Sequence, residues 1–240
     1  MVLGRLARAS APLTLRQVAE FADPSTDPRE FVLQLVGEAD AMSEVPGVVD
    51  DLARRMDPDP FPAQRTSLAA LYGVIRALRP TTVLETGVSI GVSTAVILAA
   101  LDKNGHGHLH SVDISADVGR VARTANTDRW TLHVHPHVGG ERAMRLLVQE
   151  LREIDVYYHD SGHSWLWQTF EYETVVPHVT GMVLSDDVDA SWAFAQHCAA
   201  NEVRPLALVE AKKVFAGYRM QPATIPAGSR SSTSASSGRQ

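Results

Sequence analysis

The 240-residue chain has a single cysteine, Cys198, so it cannot close an internal disulfide, and packing alone must hold the fold. That usage suits a reducing cytoplasm. No run approaches the ~18–20 apolar residues that a membrane-spanning helix needs, so no membrane partner is expected. Dense lysine–arginine clusters are missing as well. The 22 basic and 28 acidic residues leave a net charge of −6, which argues against a nucleic-acid partner. The acid-free start, MVLGRLARASAPLTLRQ, is interrupted by Arg5 and Arg8 too soon for a signal-peptide core and reads as a loose arm. The Ser-rich end, AGSRSSTSASSGRQ, lacks apolar anchors and is expected to be disordered. Internal repeats are absent too.

What the chain does have is alternation. From Thr81 onward, short apolar runs trade places with amphipathic stretches. TVLETG, GHLHSVDI, TLHVHPH, IDVYYHD and GMVLSDDV read as strands. Each is followed by a helical stretch: VSTAVILAAL, ADVGRVARTAN, ERAMRLLVQEL, LWQTFEYETVVPHV and ASWAFAQHCAANEV. Five β–α units demand a parallel sheet. PLALVEA and KVFAGYRM follow with no room for a helix between them, so they form an antiparallel hairpin. The expected fold is α/β: a doubly wound, seven-stranded, mostly parallel sheet with an antiparallel last strand. Residues 1–66 are expected to form a helical extension, 67–221 the main domain and 222–240 the disordered tail. In the extension, Asp27-Pro28 reads as a helix cap with a first-turn proline, and MDPDPFPAQ as a broken connector.

Two features point to a ligand. ETGVSIGVST, Glu85 to Thr94, lies at a strand-to-helix turn. Gly87 and Gly91 let backbone approach a ligand closely, the helix N-terminus favours an anionic group, and Ser93 and Thr94 add hydroxyls. The spacing is G-x-x-x-G, not the G-x-G-x-x-G of nicotinamide-binding enzymes. Asp113 closes the next strand, where a carboxylate is placed to accept ribose hydroxyls or to start the following helix. Together these residues suggest an adenosine-containing ligand.

VLETGVSIGVST followed by SVDI resembles the first two motifs of class I S-adenosylmethionine-dependent methyltransferases, over about residues 67 to 220. The resemblance implies a seven-stranded sheet with a reversed last strand. It also implies that Gly87 and Ser93 lie by the methionine end of S-adenosylmethionine, with Glu85 beneath and Asp113 on the ribose. Where many members carry Gly-Asp after the third strand, this chain has Gly139-Gly140-Glu141, which moves the adenine contact to Glu141 or removes it. Trp130 and Trp165 are candidates to pack on the adenine, or core residues.

Parallel strands in such a sheet end on one ligand-binding edge. Asp160, in HDSGHS, ends the strand IDVYYHD, and Asp186 and Asp187 end the next. Strands lie about 4.8 Å apart, so these carboxylates converge and should repel unless a cation joins them. Hard oxygen donors favour Mg²⁺ or a similar divalent cation. The pattern resembles metal-dependent O-methyltransferases of the catechol type, and more closely the branch similar to cephalosporin hydroxylase. The resemblance implies Asp160, Asp186 and Asp187 as metal ligands, with Asp187 standing where the catechol type has Asn. His163 stands where that type has a lysine base, and imidazole can take a hydroxyl proton near neutral pH.

The other histidines alternate as His106, His108, His110 and as His133, His135, His137, one face each of two strands that should be buried. The expected function is S-adenosylmethionine-dependent methyl transfer to the hydroxyl of a small molecule, assisted by a divalent metal. The alternatives are a metal-independent methyltransferase and a catalytically silent nucleoside-binding partner protein. Tyr72, Trp167 and Phe170 are candidates for the acceptor pocket, and a homodimer through the N-terminal helices is plausible on the same resemblance.

Overall fold

The computed structural model describes residues 9–55, 65–210 and 213–221. The basic arm up to Arg8, the connector MDPDPFPAQ and the Ser-rich tail lie outside the described residues.

Along the chain the helices are α1 (Leu15–Phe21), α2 (Pro28–Val36), α3 (Val45–Arg55), α4 (Arg65–Leu78), α5 (Val92–Asn104), α6 (Gly140–Leu151), α7 (Trp165–Val175) and α8 (Ala193–Ala200). The strands are β1 (Asp23–Ser25), β2 (Thr82–Thr86), β3 (His108–Asp113), β4 (Trp130–Val134), β5 (Ile154–His159), β6 (Val179–Ser185), β7 (Leu206–Val209) and β8 (Val214–Arg219). They form one sheet in the order β1-β7-β8-β6-β5-β2-β3-β4. Only β8 runs against its neighbours β6 and β7. The doubly wound α/β fold with a reversed last strand is therefore present.

The sheet has eight strands rather than seven. Asp23–Ser25, inside the segment expected to be helical, pairs parallel with β7 and covers what would be an open edge. Local chemistry explains the elements on either side. Thr14 and Gln17 make a reciprocal capping box at the start of α1. Asp27 accepts the Arg29 N–H ahead of Pro28 in α2, as the sequence suggested. The helix expected after β3 is reduced to one turn, Ala122–Thr124. Gly119 takes φ +73° there, and a Cβ would stand 2.6 Å from the Trp130 ring.

Side chains alternate across the sheet with period two. Val83, Val156, Tyr158 and Leu184 pack under α2, α4 and α5, whereas Leu84, Tyr157 and Val183 pack under α6, α7 and α8. Register then sets the site. Thr86 is level with His159, and His159 with Ser185. Gly87, Asp160 and Asp186 consequently leave the sheet side by side. The chain order reverses between β2 and β5, the switch point at which α/β sheets open a crevice.

Candidate active site

Two cavities open at this edge. The larger, about 650 Å³, lies beyond β2, β3 and β4 and includes Gly87, Ser89, Asp113, His135, Gly140 and Trp167 in its wall. The smaller, about 290 Å³, lies beyond β5 and β6 under the start of α4, with Ser67, Tyr158, His163, Asp186 and Asp187. Gly87, Ser89 and Asp160 line both, so the cavities adjoin along the switch point.

Gly87 has φ +88°, and a Cβ there would stand 2.0 Å from the Asp160 carbonyl oxygen. The glycine is therefore needed where two loops meet at the seam between the cavities. Gly91 opens α5 at φ +88°, but its missing Cβ faces Gly119 and Ala122, not the cavities.

Asp113 lines the larger cavity, and its carboxylate shapes the neighbouring loop. One oxygen accepts the N–H groups of Val88 (2.9 Å) and Ser89 (3.2 Å), and the other accepts that of Ser115 (3.0 Å). A carboxylate offers about four lone-pair sites, so one remains for a ligand hydroxyl.

Glu85 lies below, fully buried. It accepts hydroxyl protons from Ser93 (2.7 Å), Thr94 (2.8 Å) and Ser111 (2.6 Å). Burial pushes its carboxyl up to about 7, against the pull of these hydrogen bonds. Thr94, expected at the ligand, is fully buried, and its hydroxyl turns back to Glu85. Ser93 is held the same way, although it reaches the wall of the smaller cavity. Glu141 is exposed on the first turn of α6 and lines neither cavity; Gly140 and His135 stand on that wall instead. Trp130 bonds Ser111 Oγ (3.0 Å) and packs in the core, and Trp165 bonds Gln196 on α8 (2.8 Å). Neither indole reaches the larger cavity. Trp167 does, its Nε1 donating to Ser161 Oγ at 3.1 Å. Of the other aromatic candidates, Tyr72 is tied to Glu44 away from both cavities, and Phe170 packs at a tilt against Trp167.

In the smaller cavity Asp160, His163 and Asp187 are each about 30% exposed at the cavity mouth. His163 Nε2 is 3.3 Å from Asp187 Oδ2 and 4.0 Å from Asp160 Oδ1. Burial lowers the His163 pKa, with Asp187 opposing, so the ring is neutral near pH 7. Burial raises the Asp160 carboxyl well above the usual carboxylate range, and the Asp186 charge raises it further. Tyr158 donates to Asp160 Oδ2 at 3.1 Å.

The three acids line one small cavity, and the positive charge set among them is one the sequence did not reveal. Lys213, from the β7–β8 turn, places its ammonium on Asp186 Oδ2. Among the described residues no group of three or more His, Cys, Asp or Glu side chains is arranged to hold a metal ion. The residues as placed do not fit the expected divalent cation, because an ammonium already stands on one of its ligands.

A second missed residue is Glu171 on α7. Its Oε2 accepts from His159 Nδ1 (2.6 Å), Ser161 Oγ (2.7 Å) and Thr86 Oγ1 (3.2 Å), tying β2, β5 and the loop after β5 together. His159 is thereby a buried support behind the site.

The remaining histidines correct a further expectation. β4 is an edge strand, so His108, His110, His133 and His135 stand half-buried, with His110 Nδ1 3.0 Å from His133 Nε2. His106 lies before β3 and bonds the Arg79 carbonyl (2.9 Å). Among the described residues no helix is long and apolar enough to cross a membrane.

Comparison with known proteins agrees with this geometry. Residues 84–188 match a family described as a methyltransferase domain. Comparison with curated protein sequences finds no match. Among solved structures, an O-methyltransferase from Bacillus cereus in complex with SAH is similar, with a TM-score of 0.53 and 15% identity over 85% of this chain and 100% of that one. A SAH-bound methyltransferase from Podospora anserina has a TM-score of 0.53 and 16% identity over 76% and 88% of the two chains. An O-methyltransferase from Streptomyces achromogenes involved in tomaymycin synthesis, in complex with SAM, has a TM-score of 0.51 and 15% identity over 80% and 95%. Residues 84–188 therefore match a methyltransferase domain, and the chain shares the fold of these methyltransferases.

Proposed function

We propose that the protein transfers the methyl group of S-adenosylmethionine to a hydroxyl of a small molecule. One observation carries the reading: a nucleoside-sized cavity and a small acid-lined cavity share a wall at Gly87, Ser89 and Asp160. The larger is within the range of about 300–1,000 Å³ usual for small-ligand sites. The similar structures that hold SAH or SAM support the donor.

In this reading the nucleoside lies in the larger cavity, with a ribose hydroxyl on the free site of Asp113. The methionine end points toward Gly87, and the sulfonium methyl faces the smaller cavity. The acceptor hydroxyl enters among Asp160, His163 and Asp187. Its oxygen attacks the methyl carbon as the carbon–sulfur bond breaks, leaving S-adenosylhomocysteine. The hydroxyl proton passes to His163 Nε2, and Asp187 stabilises the imidazolium that forms. The donor is already activated, so positioning across the shared wall supplies most of the acceleration. No step is routed through a metal ion.

Titration calorimetry of S-adenosylmethionine into the protein, followed by methyl transfer to a panel of phenols and sugar hydroxyls, tests this. Micromolar binding with transfer from the donor to an oxygen is the expected result. Binding without transfer to any acceptor would favour a nucleoside-binding partner protein, and absence of binding would end the methyltransferase mechanism.

A further inference from the structure

Glu210 and Lys213, on either side of residues 211–212 between β7 and β8, are held at both sides. Glu210 accepts the backbone N–H of Ser67 at 2.9 Å, its own N–H donates to the Lys213 carbonyl at 3.0 Å, and Ser67 lines the smaller cavity. On the other side, Val214 N–H donates to Asp189 Oδ1 (2.9 Å) and Val188 N–H to the Val214 carbonyl (3.0 Å). Lys213 is thus delivered from an anchored backbone, and its side chain is only 13% exposed.

The acid on which it lands is almost wholly buried. Asp186 is 3% exposed; one oxygen meets the ammonium, and the other, Oδ1, is buried with no hydrogen-bond partner. Asp160 and Asp187 line the same small cavity, and the Lys213 charge acts on both. Clustered carboxylates require a compensating positive charge. A divalent ion bridging Asp160, Asp186 and Asp187 would have to displace this ammonium from a buried ion pair, leaving the lysine charge without its partner.

We propose that Lys213 is a positioning residue that supplies, as a fixed ammonium, the positive charge the acid cluster needs, so that this site works without a divalent cation. The inference rests on the methyl-transfer reading for its catalytic meaning, but the exclusion of metal by Lys213 can be measured apart from it. Lys213 holds Asp186 in place at the back of the cavity and leaves His163, Asp160 and Asp187 at the mouth for the acceptor. Removing the lysine charge should turn the cluster into a cation site.

The test is titration with Mn²⁺, followed by electron paramagnetic resonance, on the full chain and on Lys213→Met, Lys213→Arg and Asp186→Asn. Wild type and Lys213→Arg should show no saturable binding below millimolar Mn²⁺. Lys213→Met should gain one ion, bound at least about tenfold more tightly, equal to about 1.4 kcal/mol. Calorimetry with S-adenosylmethionine on each variant reports that it is folded and tests the donor reading separately. EDTA should leave wild-type turnover unchanged, whereas Lys213→Met should lose kcat with little change in KM for the donor. One Mn²⁺ bound by the wild type and lost in Asp186→Asn would overturn the proposal, as would a folded Lys213→Met that gains no ion. Should Lys213→Met fail to fold, Lys213→Gln carries the same test, and the wild-type titration decides on its own.

Discussion

Glu85 and Asp186 are both buried carboxylates at one edge of the sheet, at the end of β2 and just past the end of β6. The fold treats them differently. Glu85 accepts three hydroxyl donors, from β3 and from the first turn of α5. Asp186 has an ammonium on one oxygen and nothing on the other. A buried polar group whose bonding capacity is used by neighbours holds structure together; one with capacity left over is available to a ligand or a reaction. The same contrast separates the two cavities. At the larger cavity, Asp113 spends three of its acceptor sites on backbone N–H groups and keeps one. On the acid side, His163 Nδ1 and Asp186 Oδ1 are both buried without partners.

The comparison breaks first at Glu85. Glu85→Ala leaves three buried hydroxyls without their acceptor, at about 1–3 kcal/mol each. At least about 3 kcal/mol of unfolding free energy should disappear, together with donor binding. Urea unfolding and donor calorimetry measure both, and a variant that keeps both would show that Glu85 is not the scaffold. Glu85→Gln probes the charge. Burial raises the folded pKa to about 7 from the ordinary 4.5, so the contribution of Glu85 is full below 4.5 and is lost as pH rises through 7. The glutamine variant should therefore lose less stability than wild type between pH 4.5 and pH 7.

His163 sharpens the other side. His163→Gln keeps the size of the ring but cannot take a proton, and turnover should fall by about 10²-fold or more, the usual share of a general base. Donor affinity and melting temperature should stay near wild type, because the ring is at the cavity mouth and not in the core. A fall in donor affinity equal to the loss in turnover would mean that His163 binds rather than reacts.

Asp113→Asn is a smaller change. The asparagine oxygen still accepts backbone N–H groups, but one carboxylate oxygen and the charge are gone. Donor binding should weaken by about tenfold, or about 1.4 kcal/mol, with kcat at saturating donor little altered. An unchanged dissociation constant would remove the ribose from Asp113.

Much of this site is legible in the sequence because it sits where apolar runs stop. Asp113, Asp160 and Asp186 each follow a buried strand, and a parallel sheet sends all such ends to one edge. Lys213 follows no such rule. It reaches Asp186 only because an antiparallel hairpin folds back across β6, so its role exists in the tertiary fold alone. Glu171 is hidden for a similar reason: an acid in the middle of a helix reads as a solvated face until α7 docks it under β5. Ser93 and Thr94 were placed correctly at the helix start, but their hydroxyls turn inward, a direction that spacing does not encode. The Asp23-Pro24-Ser25 strand has no apolar alternation to reveal it and depends on the edge that β7 offers.

The smallest expected effect concerns His108 and His110 of β3, His133 of β4 and His135 just past it, all half-buried beside the edge of the sheet. Burial lowers the pKa of His108, His110, His133 and His135, and that of His110 falls to about 4. Arg129 adds to the depression at His108, whereas Glu150 opposes it at His133. A base with a depressed folded pKa binds its proton more readily when unfolded. Stability is therefore full above the ordinary 6.5 and declines as pH falls toward 4. His110 and His133 cannot both be cations at 3.0 Å, so the pair should dominate the loss. A His110→Gln, His133→Gln double variant should lower the melting temperature less than wild type does between pH 7.5 and pH 5, by a few degrees at about 2–4 °C per kcal/mol. Making the comparison in the Glu85→Gln background removes the opposing trend from Glu85. His135 lines the larger cavity, so donor affinity measured over the same range should weaken with the melting temperature if the strand carries the cavity wall with it, and stay flat if β4 loosens without moving that wall.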